Sequence, residues 1–378
     1  MLYTNSKKIV LVLLSMVLFF SCEKNDSDND DEPNLYVALP TAPVKVTNTD
    51  GTWMVYEMHI KTPILENVAV FYDDDLLLNY TDFITKDDLH TASIWLEFPT
   101  EGWEKEEISH EFYFKESSSG ALKKHVFTLD VNQNYPDAKT IAFPVPQGVW
   151  LAEGAPGSSS YHTRALFPYE APVYDEAQNG YLIGNNPQRY AIDYAMFQDG
   201  LPYINDGKNL TDWHCYNLPI VAAEGGEVIF TENNIPDNMT PGQLDYEINN
   251  DNATGNVVYI KHADGTIGSY CHMIPNSIEV EVGDIVETGQ VLGRLGNSGS
   301  SYAPHLHMHV LMNAQGGTIQ HYSDGLFMES LPYRFATFTK LGALPPGYLD
   351  QTPIEPFVPT SSVQYHNVIP SESDVIAF

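Results

Sequence analysis

Positive charge and cysteine are both scarce in this sequence of 378 residues. Lysine and arginine total 18 against 50 aspartates and glutamates, which gives a formal net charge of −32. A chain this acidic repels polyphosphates, so we expect no nucleic-acid partner. Only three cysteines occur, namely Cys22, Cys215 and Cys271. The last two could pair as a disulfide or remain small core residues, and the sequence leaves both alternatives open.

Long helical stretches rich in alanine, leucine, glutamate and lysine are also absent. Tyrosine, threonine, valine, glycine and proline are plentiful instead, which favours β structure. The hydrophobic content of 43% is ordinary for a globular protein. A chain of this length is expected to form two domains, each large enough to bury its own core.

The only long apolar run lies near the N-terminus, at residues 9–20, after Lys7 and Lys8. A short basic region, a short apolar run and a small residue are typical of a cleavable export signal; an uncleaved anchor is the alternative. The sequence LFFSC resembles a bacterial lipobox, which implies that residues 1–22 form a lipoprotein signal ending at a lipidated Cys22. The acidic residues 23–34 then predict a flexible tether. We expect a lipid-anchored outer-membrane protein, periplasmic or surface-exposed, with no other membrane contact.

Short alternating runs of polar and apolar residues predict strands in both domains. In residues 35–146 such runs are separated by Asp, Gly and Pro clusters, which is the pattern of a small β-sandwich. These runs are residues 53–60, 68–72, 92–98, 111–114 and 125–131. Residues 147–340 again alternate between turn and strand, and we expect residues 341–378 to form a tail that packs on the body. The sequence therefore predicts an all-β fold.

One histidine-rich stretch could hold a metal ion. Residues 296–310 begin as a Gly/Ser/Asn-rich loop and end as a predicted strand. Because strand side chains alternate between faces, His305, His307 and His309 should point the same way. Neutral imidazole is the commonest protein ligand for zinc, so this face suits a metal site. The exposed polar face of an edge strand explains a bare HxH equally well, so the motif needs partners from elsewhere.

Two other stretches could supply such partners. In residues 188–196, Asp193 is a single carboxylate among apolar and aromatic residues. An unpaired buried carboxylate is costly, so it should be matched by a metal or by a cation such as Arg189. In residues 270–273, His272 lies at the end of a predicted strand, where a lone histidine is more often structural than catalytic.

Three motifs follow one another in order along the chain. They read RYAID, GNVVYIKHADGTIGSYCHM and VEVGDIVETGQVLGRLGNSGSSYAPHLHMHV. Their order and spacing resemble those of the lysostaphin/LytM-type zinc metallopeptidases, family twenty-three of the metallopeptidases. The likeness spans roughly residues 148–338. It implies a mainly antiparallel β-sheet domain with an open groove, which binds one zinc ion per chain.

The resemblance also implies roles for particular residues. Zinc in this family is bound by a His, a downstream Asp and the second His of HxH, which carries over to Asp193 and His307. His305 and His272 would then flank the zinc-activated water, assist its deprotonation and stabilise the oxyanion. His309 is expected one step further from the metal, where it would support the ligands or line the groove.

The first zinc ligand departs from the common pattern H-x-G-x-D, because Arg189 occupies the histidine position. A subgroup instead has a Trp, a Gly/Pro stretch and H-x-R well upstream, and residues 148–164 match it as GVWLAEGAPGSSSYHTR. His162 is therefore the expected ligand. If it is not, Asn185 or Asn186 would be a poor substitute and the zinc site would be degenerate.

Two histidines and one carboxylate leave one tetrahedral position open, which is typical of catalytic zinc. The chain has no HExxH helix, so the general base is not the glutamate of that class. The sequence thus predicts a zinc endopeptidase that hydrolyses amide bonds in peptidoglycan cross-links or stem peptides. The alternative is a non-catalytic LytM-like lipoprotein that binds envelope material or regulates other wall hydrolases. A peptidase acting on external proteins or foreign walls is a third hypothesis.

Overall fold

A computed structural model describes residues 35–97, 107–130, 138–313, 328–349, 351 and 353–378. The predicted export signal of residues 1–22, its lipidation site Cys22 and the acidic tether of residues 23–34 lie outside these ranges. Within the described ranges, no helix is long and apolar enough to cross a membrane.

Among the described residues between 35 and 130, nine strands form two antiparallel sheets. They are β1 (Tyr36–Ala38), β2 (Val44–Asn48), β3 (Gly51–Lys61), β4 (Ile64–Tyr72), β5 (Asp75–Tyr80), β6 (Ile84–Lys86), β7 (Leu89–Glu97), β8 (Glu107–Lys115) and β9 (Lys123–Asp130). One sheet has the order β1-β3-β7-β6, with β2 also paired to β3, and the other has the order β5-β4-β8-β9.

These two sheets pack on each other through their apolar faces. Met54 and Met58 of β3 lie in the same buried cluster as Phe112 of β8. Buried and partly exposed residues alternate along β8, because successive strand side chains point to opposite faces. Each fully buried side chain of this size contributes roughly 1.5–3 kcal/mol. The predicted N-terminal β-sandwich is confirmed.

The described residues from 138 onward contain sixteen strands and two short 3₁₀ helices. The strands are β10 (Lys139–Ile141), β11 (Val149–Glu153), β12 (Phe167–Asp175), β13 (Gly180–Asn185), β14 (Ile192–Phe197), β15 (Pro219–Val221), β16 (Gly226–Glu232), β17 (Asn256–Lys261), β18 (Ile267–Met273), β19 (Ile285–Val286), β20 (Val291–Arg294), β21 (Leu306–Asn313), β22 (Met328–Leu331), β23 (Tyr333–Ala343), β24 (Val363–Val368) and β25 (Asp374–Ala377). The 3₁₀ helices are η1 (His162–Arg164) and η2 (Leu210–Asp212).

Twelve of these strands form one large sheet. Its order is β10-β23-β25-β11-β14-β21-β18-β17-β16-β19, with β22 beside β21 and β24 beside β23. Only the β10–β23 pair is parallel among the paired strands described. β12 pairs with β13, and β15 with β20, as separate two-stranded sheets. The predicted fold class, all-β and mainly antiparallel, is confirmed.

The predicted domain boundary at residue 146 stays a prediction, although the structure shows how the chain enters the large sheet. β10 precedes that boundary and pairs with β23. Phe143 stacks on Phe335 and Phe378, with ring centroids 3.8 and 3.5 Å apart. Within the predicted tail, β25 lies between β11 and β23. β10, which precedes residue 146, and β25, near residue 378, therefore belong to the same sheet.

A buried ion cluster joins the sandwich to the large sheet. The guanidinium of Arg189, a residue 2% exposed, lies 3.0 Å from Glu57 of β3 and 3.6 Å from Glu329 of β22. His59, also on β3, forms a 2.8 Å hydrogen bond with Glu57. Arg189 forms no ion pair with Asp193 in the described part of the chain. The salt bridge between Arg189 and Asp193, which the sequence left open as an alternative to a metal, is therefore not formed.

Candidate metal centre

Two neighbouring strands of the large sheet place Asp193 and His307 opposite each other. Asp193 lies on β14 and His307 on β21, and the antiparallel register pairs them directly. Such cross-strand neighbours have Cβ atoms about 4.5–5.5 Å apart, so their side chains meet. The Nδ1 of His307 lies 2.7 Å from the Oδ1 of Asp193. Both side chains are buried at the same face of the sheet.

His162 reaches the same point from a loop. It opens η1, which follows β11, and is 3% exposed. Its Nδ1 donates to the carbonyl oxygen of Gly154 at 2.9 Å, because a carbonyl can only accept. The unprotonated Nε2 therefore faces Asp193, whose Oδ2 lies 3.5 Å away. The ring centroids of His162 and His307 are 4.8 Å apart.

Gly154 is required by the position of this imidazole. Its backbone has φ of +62°, in the left-handed region that favours glycine. A Cβ atom at this position would lie 2.4 Å from the Nδ1 of His162. Any larger residue would therefore displace the ring and break its hydrogen bond to the Gly154 carbonyl.

Contacts from the sandwich hold η1 in place. The carbonyl of Thr163 accepts hydrogen bonds from Ser93 of β7 at 3.4 Å and from the amide of Asn186 at 2.7 Å. The guanidinium of Arg164 pairs with Asp82 of the sandwich. The position of His162 therefore depends on residues outside the large sheet.

His305 and His272 lie beside these three residues. The Nδ1 of His305 donates to the carbonyl of Ala303 at 2.8 Å, and its Nε2 lies 3.6 Å from Asp193. The Nδ1 of His272 donates to the carbonyl of Ser298 at 2.7 Å. The two rings are 4.8 Å apart. His272 has φ of +62°, which is uncommon for a residue with a Cβ and often marks functional sites.

Burial and mutual proximity shift the pKa values of this cluster. Burial lowers the pKa of His162 to about 4 and that of His272 well below its usual range. Burial alone would raise the pKa of Asp193, but His162, His305 and His307 hold it well below its usual range. Asp193 is therefore ionised at neutral pH, while His162 and His272 are neutral. These are the protonation states that metal ligation and proton acceptance require.

The donor set fits a zinc ion. One ligand atom from each of His162, Asp193 and His307 lies within 4.8 Å of the other two. Two ligands of a tetrahedral zinc, each bonded at 2.0–2.1 Å, are roughly 3.3 Å apart. The Asp193 oxygens lie 2.7 Å from His307 Nδ1 and 3.5 Å from His162 Nε2, on either side of that value. The cluster opens onto a cleft of about 910 Å³ that His272 and His305 also line. The structure thus brings together all five residues expected at the site, and their roles stay predictions.

The structure shows one further contact to the carboxylate, which residue spacing alone does not predict. Tyr161 donates from its hydroxyl group to the Oδ2 of Asp193 at 2.6 Å and lines the same cleft. Its position next to His162 is the only sequence signal that could have indicated this contact. Because the hydroxyl holds one carboxylate oxygen, it helps to orient Asp193.

Cys215 and Cys271 are both free and fully buried. The Sγ of Cys215 lies 3.0 Å from the carbonyl of Pro304, and that of Cys271 lies 3.3 Å from the Oγ of Ser269. Burial raises the pKa of each thiol to about 12. Of the two alternatives left open by the sequence, the structure shows unpaired core residues.

A β-sheet cleft with a His/Asp/His cluster has the ligand chemistry of a hydrolytic metal site. Residues 209–318 match the sequence pattern described as Peptidase family M23. The matched range includes His272, His305 and His307, whereas His162 and Asp193 precede it. A domain of the M23 peptidase type is therefore supported in this chain.

Two curated relatives are similar over short segments. The cell division protein DipM of Caulobacter vibrioides is 28% identical over 143 residues, which are 38% of this chain and 20% of that protein. The peptidoglycan DD-endopeptidase ShyC of Vibrio cholerae is 41% identical over 59 residues, which are 16% of this chain and 13% of that protein. The chain thus spans far less than two thirds of either relative.

Among solved structures, the catalytic domain of the antimicrobial peptidase lysostaphin from Staphylococcus simulans is similar. It shares 21% identity, and the alignment covers 41% of this chain and 85% of that one, with a TM-score of 0.22.

Proposed function

We propose that this chain is a zinc-dependent endopeptidase that hydrolyses amide bonds in peptidoglycan cross-links or stem peptides. The observation that carries the proposal is the convergence of His162, Asp193 and His307, beside His272 and His305, on one cleft. The M23 match supports the reaction class. The similarity to ShyC, named as a peptidoglycan DD-endopeptidase, supports the choice of substrate.

Three side chains would hold the metal ion. His162 would bind through Nε2, Asp193 through a carboxylate oxygen and His307 through Nδ1. Zinc bound there would supply Lewis-acid chemistry, which acidifies a water molecule and polarises the scissile carbonyl. Tyr161 would keep its hydrogen bond to one oxygen of Asp193 and so restrict how that carboxylate can turn.

His305 and His272 would move the protons. Each carries a proton on Nδ1, held by a backbone carbonyl, so each presents an unprotonated Nε2. Either ring can therefore accept a proton from the attacking water. The resulting imidazolium can then donate from Nε2 to the oxyanion or to the departing amine. His305 is the more exposed of the two, which favours it as the first acceptor.

We further propose that the mature chain works in the cell envelope, attached by a lipid on Cys22. The basic, apolar and lipobox-like order of residues 1–22 supports this proposal. Globomycin, which blocks lipoprotein signal cleavage, should make the chain accumulate as its larger precursor. A Cys22→Ser variant that is still labelled by a radioactive fatty acid would contradict the lipidation site.

The activity can be tested on purified sacculi. Residues 34–378, loaded with zinc, should release fragments with new peptide-bond ends that mass spectrometry identifies. Release should stop with a chelator, and His305→Ala should lower the rate by about 10²–10⁴-fold while zinc stays bound. His366→Ala is the matched control, because His366 is an exposed histidine on β24.

Two outcomes would contradict the proposal in different ways. A chain that binds about one zinc ion and yet releases nothing would favour the non-catalytic, envelope-binding or regulatory alternative. A chain that binds no zinc would contradict the ligand set, beginning with His162. Activity on external proteins or foreign walls, without activity on its own sacculi, would change the substrate and leave the mechanism intact.

A further inference from the structure

Each histidine at the candidate metal centre points one ring nitrogen at the site. The histidines differ in which group forms a hydrogen bond with the other ring nitrogen. His162, His272 and His305 each place Nδ1 against a backbone carbonyl. A carbonyl only accepts, so each of these three rings carries a proton on Nδ1, and in its neutral form it leaves Nε2 bare. Their tautomers are therefore fixed by the backbone.

His307 is held in the opposite way. Its Nδ1 faces the site, 2.7 Å from Asp193, and its Nε2 lies 2.9 Å from the Nδ1 of His309. An imidazole nitrogen, unlike a carbonyl, can either donate or accept. His309 is completely buried, and the described residues offer no hydrogen-bond partner to its Nε2. The backbone therefore does not fix the tautomers of these two rings.

The two possible states of His307 require opposite hydrogen-bonding roles of His309, which must donate in one state and accept in the other. Without a metal, a neutral His307 donates from Nδ1 to the Asp193 carboxylate, so its Nε2 is bare and accepts from His309. As a zinc ligand, Nδ1 must be bare, so Nε2 must carry the proton and donate to His309. Only a partner that can exchange the roles of donor and acceptor satisfies both states.

We propose that His309 is a positioning residue whose Nδ1 accepts from His307 Nε2 and thereby frees His307 Nδ1 to bind zinc. His309 then carries its own proton on Nε2. Each ring has one proton in both states, so the pair exchanges tautomers without a net change in charge. This inference rests on the proposed function, because it assumes that His307 is a zinc ligand.

A pair of similarly shaped substitutions separates the hydrogen bond from packing. In His309→Asn, the amide oxygen lies as many bonds from Cα as Nδ1 does, and the amide group can donate or accept. In His309→Leu, a methyl group takes that position and can do neither. We expect His309→Leu to weaken zinc binding by about 10–100-fold and His309→Asn by no more than about threefold. Competition with a fluorescent chelator measures both values, and thermal unfolding checks that both variants fold.

The ring tautomers can also be observed directly in the wild-type chain. Long-range ¹H–¹⁵N spectra of ¹⁵N-histidine-labelled protein should show both rings protonated on Nδ1 without metal and on Nε2 with zinc. This measurement needs no substitution, so it decides the question even if His309→Leu does not fold.

The outcomes separate this inference from the proposed function. Equal zinc affinities of the two variants, or a zinc-loaded His309 that still carries its proton on Nδ1, would overturn the inference alone. A wild-type chain that binds no zinc would overturn both the proposed function and the inference.

Discussion

The buried ion cluster between the two parts of the chain predicts an unusual pH dependence of stability. Glu329 and Glu57 share one guanidinium, that of Arg189. Burial raises the pKa of Glu329 from 4.5 to about 7, with the charge of Glu57 adding to the effect. The perturbation that isolates this residue is Glu329→Gln, which keeps the shape and removes the ionisation.

The sign follows from proton binding in the two states. Between pH 4.5 and 7 the folded chain holds a proton on Glu329 that the unfolded chain has released. Stability therefore falls as the pH rises through this window and becomes level above it. From pH 5 to pH 8 the free energy of unfolding should drop by about 3 kcal/mol through this group, at about 1.4 kcal/mol for each pH unit up to 7. In Glu329→Gln this part of the drop should disappear.

Urea unfolding followed by tryptophan fluorescence at pH 5, 6, 7 and 8 measures the effect. From pH 5 to pH 8, the free energy of unfolding of Glu329→Gln should increase by about 3 kcal/mol relative to that of the wild type. Glu227→Gln, at an exposed site on β16, is the control and should run parallel to the wild type. Parallel curves for Glu329→Gln and the wild type would refute the reasoning.

The pKa of Glu57 is shifted in the opposite direction to that of Glu329. Burial would raise its pKa, but Arg189 and His59 lower it below 4.5, so it is ionised throughout the same pH range. Glu57→Gln leaves Arg189 without its nearest anion and should cost about 3–5 kcal/mol at pH 7. A loss below 1 kcal/mol would show that the cluster contributes little to joining the two parts.

Three further predictions concern the loop around η1 and the thiols. Gly154→Ala should weaken zinc binding by at least about tenfold, because the added Cβ displaces the imidazole of His162. The matched control in the chelator assay is Gly157→Ala, whose added Cβ would lie 3.5 Å from its nearest neighbour. Arg164→Ala should change the free energy of unfolding by less than about 1 kcal/mol, since its partner carboxylate is largely exposed; a larger loss in urea unfolding would contradict this. Cys215 and Cys271 should resist Ellman's reagent in the folded chain and react in denaturant, because their raised pKa values leave almost no thiolate at neutral pH; rapid reaction of the folded chain would contradict their burial.

Features set by local spacing could be predicted from the sequence. The alternation around His305 and His307 places both at one face, and in the structure both approach Asp193. The runs at residues 53–60 and 68–72 lie in β3 and β4 for the same reason. In the apolar stretch at residues 188–196, the strand β14 begins only at Ile192, because a turn precedes it.

Features set by distant residues could not be predicted from residue spacing. Nothing near Arg189 indicates that its partner is Glu57, 132 residues earlier in the chain. The position of His162 depends on Gly154 and on contacts from the sandwich to η1. Only the resemblance to a subgroup therefore predicts that His162 lies at the site. The hydrogen bond from Tyr161 to Asp193 depends in turn on that loop.

The position of β25 has a consequence for the synthesis of the chain. β11 is flanked by β14, which carries Asp193, and by β25 at residues Asp374–Ala377. Until residues 374–377 have emerged, β11 presents an open edge to which other chains can add. Pairing over such a long sequence separation is also slow. A nascent or truncated chain would therefore expose to aggregation and degradation the strand that pairs with the one carrying Asp193.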